Sequence, residues 1–166
     1  MIGDRWGVSA SETARVYPCD AFVTLPTLQV WRGVGVAAPV EDVWPWVAQV
    51  RLAPYSYDWI DNLGRRSPRT LAGLAEPRAG ERFTTAFGHG QGRILSVDPP
   101  KQLTGHIGGA FMSYVLVPAA QDTSRLLLKI VIRTSRLAAI GLSVGDLIMA
   151  RRQLLNLKHL AESRRR

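Results

Sequence analysis

Apolar residues recur along the first part of the chain at two different spacings. From 28 to 36 the spacing is two, which predicts a β-strand: Leu28, Val30, Arg32, Val34 and Val36 alternate with Gln29, Trp31, Gly33 and Gly35. From 39 to 50 apolar residues recur every three or four residues, which predicts an amphipathic helix that Pro45 should kink. A shorter helix is expected over 57–63, with Ser56 as its N-cap and a glycine after its last turn.

A series of short β-prone runs follows a linker that is rich in proline, glycine and arginine. Turn signals such as "GHGQ", "DPPK" and "GG" separate the runs, so the pattern predicts an antiparallel meander. In the last run, leucines and isoleucines form one face, and we expect Lys129 and Arg133 on a solvent-exposed face. The predicted strands span 81–87, 92–97, 102–107, 111–117 and 125–133.

A long amphipathic helix is predicted over 143–163. Ser143 of "GLSVG" fits its N-cap better than a hydrolase nucleophile, because the acid and histidine that should follow would all lie on this one helix. A strand, two helices, a run of strands and a long helix indicate an α+β fold. We expect an extended leader over 1–27, a single domain over 28–163 and a basic tail over 164–166.

Length and composition restrict the class of protein. The chain has 166 residues, of which 46% are hydrophobic, enough for one domain with a sizeable core. Its single cysteine, Cys19, cannot form an internal disulfide, and the three histidines are too scattered for a zinc site. No apolar run approaches the ~20 residues of a transmembrane helix, and the first residues do not resemble a signal peptide. We therefore expect a soluble, cytoplasmic protein without a metal or cofactor.

The positive charge is concentrated at one end of the chain. The net charge is +8, and residues 151–166 hold six basic residues and one acidic residue, so this segment carries +5 of it. Such a segment favours weak contact with RNA or an anionic membrane, or else forms a solvated helix face with a basic end. No aromatic residues interleave with these arginines as in single-strand binders, and we expect no DNA partner.

Three stretches resemble members of the SRPBCC superfamily, which includes START lipid-transfer domains, pollen-allergen-like proteins, and polyketide cyclases and aromatases. They are "APVEDVWPWVAQV" (38–50), "YSYDWIDNLGRR" (55–66) and "MARRQLLNLKHLAE" (149–162). The resemblance covers about residues 6–163 and implies a helix-grip fold. In that fold, a curved antiparallel sheet of six to seven strands wraps around a long C-terminal helix, and two short helices follow the first strand.

The resemblance further implies a deep apolar cavity between the sheet and the C-terminal helix, a place where ligand pockets commonly form. We expect the helix to line this cavity with Met149, Gln153 and Leu154. The alternation of the strands leaves open which parity faces inward. The polar strand candidates are therefore Thr84, Arg93, His106 and Tyr114, and the candidates for the cavity mouth are Tyr55, Tyr57, Trp59 and Asn62.

Two interpretations compete for the acidic and aromatic residues of the second helix. Asp58 and Asp61 are spaced as a general acid/base pair on a helix, but Asp58 equally fits a role in stabilising the helix N-terminus. The aromatic residues either line the cavity mouth or fasten the helix to the sheet. His106 either acts as a base inside the cavity or faces solvent. The candidate catalytic residues are thus Asp58, Tyr57 and His106.

The sequence predicts a protein that binds or transports a hydrophobic small molecule, such as a lipid, a polyketide or an isoprenoid. This interpretation depends on a START-like layout without a recognisable set of nucleophile, base and orienting group. One alternative is a polyketide cyclase or aromatase that uses acid/base residues of the cavity. Another is contact with RNA, ribosomes or an anionic membrane through the basic C-terminal helix. A monomer and a homodimer are both compatible with the sequence.

Overall fold

A computed structural model describes residues 3–61, 63–133 and 136–163, with side chains at all of these except 61 and 136–147. Within these residues the chain forms an α+β fold with a mixed sheet and a long C-terminal helix. In chain order the elements are β1 (Arg5–Trp6), α1 (Ala10–Ala14), a 3-10 helix (Pro18–Phe22), β2 (Leu28–Val36), α2 (Val40–Ala48), a 3-10 helix (Gln49–Arg51), α3 (Asp58–Asp61), β3 (Arg82–Ala86), β4 (His89–Asp98), β5 (Gln102–Ile107), β6 (Ala110–Pro118), β7 (Ser124–Ile132) and α4 (Arg136–Ser163).

The described strands form one sheet in the order β1-β2-β7-β6-β5-β4-β3. β1 pairs with β2 in parallel, and the other neighbouring pairs are antiparallel. Val30 of β2 and Met112 of β6 both align with Ile130 of β7. Because side chains directly opposite each other share a face of the sheet, these three residues stand on the same face. We call it the inner face, and the opposite one the outer face.

The β3–β4 hairpin is tighter than the sequence predicted. Ala86 pairs with His89, so that Phe87 and Gly88 alone form the turn. Their φ angles are 52° and 76°, and positive values at both positions are typical of a type I′ hairpin turn. Most of the "GHGQ" segment therefore belongs to β4, which begins at residue 89 rather than at 92.

The two helices after β2 are shorter than predicted. α2 ends at Ala48, three residues after Pro45, and the chain continues as the 3-10 helix Gln49–Arg51. Pro45 lies inside α2, and its ring removes the backbone N–H that would donate to the carbonyl of Glu41. α3 holds only four residues, Asp58–Asp61, and Asn62 lies outside the described residues.

α4 is longer than predicted. It begins at Arg136, so Ser143 lies within the helix and is not its N-cap. Residues 137–142 form a nearly continuous apolar run with a glycine, a pattern that does not show helical spacing. The helix packs on β2 and α2, and Leu154 and Leu157 are fully buried in the core. No helix in the described part of the chain has both the length and the apolar character needed to cross a bilayer.

The outer face of the sheet is covered by residues of the N-terminal segment, 3–27. Tyr17 and Cys19 of this segment are 1% and 0% exposed, and they pack against a second apolar cluster that includes Leu127 and Val131. The segment contains β1, α1 and a 3-10 helix, so part of it belongs to a core rather than to an extended leader.

Lys129 is buried on this outer face, so the prediction that it faces solvent is wrong. Its Nζ lies 2.6 Å from Oδ1 of Asp20 and 4.9 Å from the ring centroid of Trp31. The ion pair and the aromatic ring offset the cost of removing the ammonium group from water. Arg133, at the end of the same strand, is exposed.

Candidate functional site

A cavity of about 420 Å³ lies between the inner face of the sheet and α4. This volume falls in the ~300–1,000 Å³ range of small-molecule pockets. Strands supply most of the wall, and α4 and the loop before α3 supply the rest of it. The described lining residues are Leu28, Val30, Val50, Pro54, Ser56, Phe83, Thr84, Ile107, Ala110, Met112, Tyr114, Leu128, Ile130, Ile132, Met149, Ala150 and Gln153.

Strand pairing decides which side chains reach the cavity. On β6, Met112 and Tyr114 line it, whereas the hydroxyl of Ser113 accepts a hydrogen bond from Cys19 N on the outer face. On β5 the odd positions face inward, because Ile107 pairs with Ala110 of β6 and both line the cavity. The even-numbered residues of β6 and the odd-numbered residues of β5 therefore face the cavity, a choice that the sequence left open.

Phe83 forms one wall of the cavity because Gly105 lies directly behind it. A Cβ atom at Gly105 would come within 2.1 Å of Cδ2 of Phe83, so the glycine leaves room for the ring. The Phe83 ring centroid lies 6.3 Å from that of Tyr114. The two rings together form an aromatic side of the cavity.

Tyr114 and Gln153 form a polar pair across the cavity. The Tyr114 hydroxyl donates to Oε1 of Gln153 at 2.6 Å, and Nε2 of Gln153 donates to the Pro54 carbonyl at 2.5 Å. A carbonyl oxygen can only accept, so the amide nitrogen must face Pro54 and the amide oxygen must face Tyr114. The pair therefore connects β6, α4 and the loop before α3.

The rest of the described lining is nearly free of polar groups. The Thr84 hydroxyl donates to the carbonyl of Val50 at 2.8 Å and is used inside the protein. Ser56 is 8% exposed. Among the described lining residues there is no carboxylate, imidazole, thiol, lysine or arginine. Such a surface suits an apolar molecule and offers few groups for acid/base catalysis.

The structure places four of the predicted ligand-binding residues in the cavity wall: Thr84, Tyr114, Met149 and Gln153. Met149 and Gln153 lie four residues apart and therefore project from the same face of α4. Leu154, the neighbouring candidate, is 0% exposed and packs in the core rather than along the cavity.

His106 and Arg93 lie on the outer face of the sheet, so the structure does not bring them into the cavity. The reason is the pairing of β5, where His106 aligns with Phe111 of β6 and with Arg93 of β4. The His106 ring stacks on Phe111 with centroids 5.7 Å apart. Arg93 is exposed and donates from Nη1 to the carbonyl of Gly80 at 2.9 Å.

Asp58 and Tyr57 also lie outside the cavity wall. The carboxylate of Asp58 accepts hydrogen bonds from the Ser67 hydroxyl at 2.5 Å and from Ser67 N at 2.9 Å. It thereby fastens the linker after α3 to the start of that helix. The Tyr57 ring lies 5.8 Å from the guanidinium carbon of Arg152 on α4. These contacts favour structural roles over acid/base catalysis for both residues.

The remaining aromatic candidates differ in exposure. Tyr55 is 1% exposed, and its hydroxyl accepts a hydrogen bond from Nε2 of Gln49 at 2.7 Å. Burial raises the pKa of Tyr55, against the lowering effect of the Gln49 hydrogen bond, so the hydroxyl stays protonated at neutral pH. Trp59 is 74% exposed and does not line the cavity, and Asn62 lies outside the described residues.

Sequence reasoning missed most of the wall because it searched for polar residues. The wall consists mainly of aliphatic side chains at even positions of β2 and β7, such as Val30, Leu128 and Ile130. The alternating apolar residues of the last strand carried this signal. These residues could be assigned to the cavity only when the strand register showed that β7 pairs with β2 and β6.

Two larger depressions open elsewhere on the protein. One, of about 550 Å³, lies beside α4 and is lined mainly by polar residues, including Asp58 and Arg152. The other, of about 600 Å³, involves Val16 of the N-terminal segment, which is 84% exposed. The smaller space is the candidate site, because it lies between sheet and helix and its described wall is almost entirely apolar.

Known structures share this fold at low sequence identity. A protein from Nitrosospira multiformis aligns with a TM-score of 0.57 and 15% identity, over 83% of this chain and 99% of that one. A protein from Thermobifida fusca aligns with a TM-score of 0.53 and 21% identity, over 80% and 92%. DynU16, from the dynemicin biosynthetic locus, aligns with a TM-score of 0.50 and 19% identity, over 78% and 47%.

These likenesses support the α+β fold with its C-terminal helix. Identities this low carry no residue roles from one protein to another. No protein-family model matches the chain, and no curated protein sequence matches it.

Proposed function

We propose that this protein binds a hydrophobic small molecule in the cavity between the sheet and α4, within a helix-grip fold of the SRPBCC type. The observation that carries the proposal is the space of about 420 Å³ with a described wall of almost entirely apolar side chains. Lipids, polyketides and isoprenoids are the ligand classes that such a wall fits.

The energetics of an apolar wall favour an apolar ligand. Each Å² of apolar surface removed from water contributes roughly 25 cal/mol. Side chains that line an empty space lack contact partners on one side, and a ligand restores those contacts. The apolar part of the ligand would therefore supply most of the affinity, and the polar groups would orient it.

A cyclase- or aromatase-type enzyme is the second candidate function. The observation in its favour is the Tyr114 hydroxyl, which lies in the cavity wall. Asp58, Tyr57 and His106 lie outside that wall, and this supports binding over catalysis. DynU16 belongs to a biosynthetic locus, so an intermediate of biosynthesis stands beside lipids among the ligands that we propose.

Contact with RNA or an anionic membrane remains a separate prediction. It concerns Arg164, Arg165 and Arg166, which lie outside the described residues. Binding through these arginines should weaken steeply as salt is raised and should be lost when they are deleted.

Native mass spectrometry of the purified protein tests the main proposal. We expect one small molecule bound per chain, and organic extraction should release an apolar compound. The same spectrum distinguishes a monomer from a homodimer. The proposal fails if the protein carries no ligand and also takes up none from a panel of lipids, polyketides and isoprenoids.

A further inference from the structure

We propose that the cavity selects an uncharged ligand with a hydrogen-bond acceptor, and that the side-chain amide of Gln153 binds this acceptor. The inference rests on the proposed function, since it concerns which chemical class enters the same cavity. It is carried by two observations, the charge of the wall and the hydrogen bonds of Gln153.

The described wall offers no opposite charge for an ionised ligand. It contains no charged side chain, and the two buried cations that the structure describes, Arg32 and Lys129, are not part of it. Nη1 of Arg32 donates to the carbonyls of Asp4 and Trp31, both at 2.9 Å, and Arg32 is not part of the wall. Lys129, on the outer face, is paired with Asp20.

Burial without an opposite charge would disfavour a carboxylate strongly. An ion that leaves water loses several kcal/mol of hydration, and it regains this only with an opposite charge or several hydrogen bonds. A neutral ester, ketone or ether has a far smaller desolvation cost. The wall therefore discriminates against fatty acids and other anionic lipids in favour of neutral molecules of similar size.

Gln153 has one hydrogen left for such a molecule. Its amide nitrogen carries two hydrogens, and one of them is donated to the Pro54 carbonyl. The amide oxygen already accepts from Tyr114. Among the residues that the structure describes, no acceptor takes the second hydrogen. Because Pro54 and Tyr114 fix the amide from both ends, this N–H is pre-oriented in the cavity wall.

A matched set of ligands tests the inference on the unmodified protein. Methyl dodecanoate, dodecanoate and dodecane share a chain length but differ in charge and in acceptor groups. At pH 8 we expect isothermal titration calorimetry to show the ester binding at least ~10-fold more tightly than dodecanoate. The ester should also bind roughly 5-fold more tightly than dodecane, as one added hydrogen bond allows.

The three ligands test charge selection and the role of Gln153 separately. Dodecanoate binding as tightly as the ester overturns the charge selection, and dodecane binding as tightly as the ester overturns the role of Gln153. If none of the three binds and the native protein also carries no ligand, the proposed function itself fails, and the inference fails with it.

Two variants test whether Gln153 supplies the N–H that binds the ligand. Gln153→Met removes the amide at similar length, and Gln29→Met makes the same change outside the cavity wall. We expect Gln153→Met to abolish the preference for the ester over dodecane, and Gln29→Met to retain it. An unchanged preference in a folded Gln153→Met protein would overturn the assignment to Gln153. If that variant does not fold, the ligand series on the wild-type protein still tests whether the cavity prefers a neutral ligand with an acceptor.

Discussion

The Tyr114 hydroxyl of β6 donates a hydrogen bond of 2.6 Å to the Gln153 side chain of α4. Both residues line the cavity, and Gln153 also donates to the Pro54 carbonyl. One short chain of hydrogen bonds thus connects the sheet, the long helix and the loop before α3. The hydrogen bond between Tyr114 and Gln153 joins two sides of the cavity wall, and it orients the Gln153 amide that we propose as the ligand-binding group.

Replacing Tyr114 by Phe tests this contact. We expect Tyr114→Phe to lower the free energy of unfolding by about 1 kcal/mol, because the Gln153 oxygen loses its donor. Urea denaturation measures this change. Tyr17→Phe is the matched control, since the Tyr17 hydroxyl donates at 2.9 Å to the Glu12 carbonyl away from the cavity. Only Tyr114→Phe should also weaken binding of methyl dodecanoate, and an equal effect of both variants on binding would contradict the orienting role.

Filling the cavity should remove ligand binding without unfolding the protein. Met112 lines the cavity, so an indole from Met112→Trp would occupy the space that the ligand needs. We expect at least a ~10-fold loss of affinity for methyl dodecanoate, with a change in stability no larger than the ~1–3 kcal/mol of typical overpacking.

The neighbouring substitution Phe111→Trp is the control, because Phe111 packs in the cluster on the outer face. It should leave the affinity unchanged. Equal affinity in the Met112→Trp and wild-type proteins would show that the ligand binds elsewhere.

A side chain at position 105 should destabilise the folded protein, because Phe83 occupies the space beside Gly105. In Gly105→Ala the new Cβ would lie 2.1 Å from Phe83, and the ring would have to move toward the cavity. We expect a loss of about 1–3 kcal/mol in the free energy of unfolding. Gly109→Ala has no atom within 4 Å of the new Cβ and should change stability by less than ~0.5 kcal/mol. Thermal or urea unfolding of the two variants measures the difference, and equal effects would contradict the close packing of Phe83 on Gly105.

The ion pair of Glu12 should make stability depend on pH. The hydrogen bond from Arg125 is the main cause that holds the pKa of Glu12 below its ordinary value of 4.5, against the raising effect of burial. The unfolded chain therefore binds a proton more readily than the folded one. The stabilisation is present above pH 4.5 and is lost as the pH falls through the lowered pKa of the folded protein.

Glu12→Gln removes this titrating group. We expect the variant to lose less stability than the wild-type protein between pH 7 and pH 3, as measured by urea unfolding at each pH. Equal losses would indicate that the contact between Glu12 and Arg125 does not contribute.

Local sequence patterns predicted the strands and helices better than they predicted which side chains are buried where these elements pack together. β2 and β5 have the predicted bounds, because each is a run with period-two alternation between prolines or turn signals. The alternation of β7 predicts Lys129 on a solvent-exposed face, whereas its partner Asp20 is distant in sequence and packs on it from the N-terminal segment. A buried charge of this kind has no local signature.

The candidate site depended in the same way on register. His106 and Tyr114 are both polar residues on strands, and no local feature distinguishes the one outside the cavity from the one inside. Pairing of β5 with β6 determines both positions, since Tyr114 pairs with Leu103 and His106 with Phe111. Met149 and Gln153 could be predicted because a single helix stripe faces the sheet.

The methionine methyl groups give the most direct test of binding in this cavity. The chain has three methionines, and two of them, Met112 and Met149, line the cavity. In a protein labelled with ¹³C at the methionine methyls, titration with methyl dodecanoate should shift the Met112 and Met149 signals together and saturate at one ligand per chain. Saturable binding that leaves both cavity signals unmoved, or no binding at all, would contradict a ligand site between the sheet and α4.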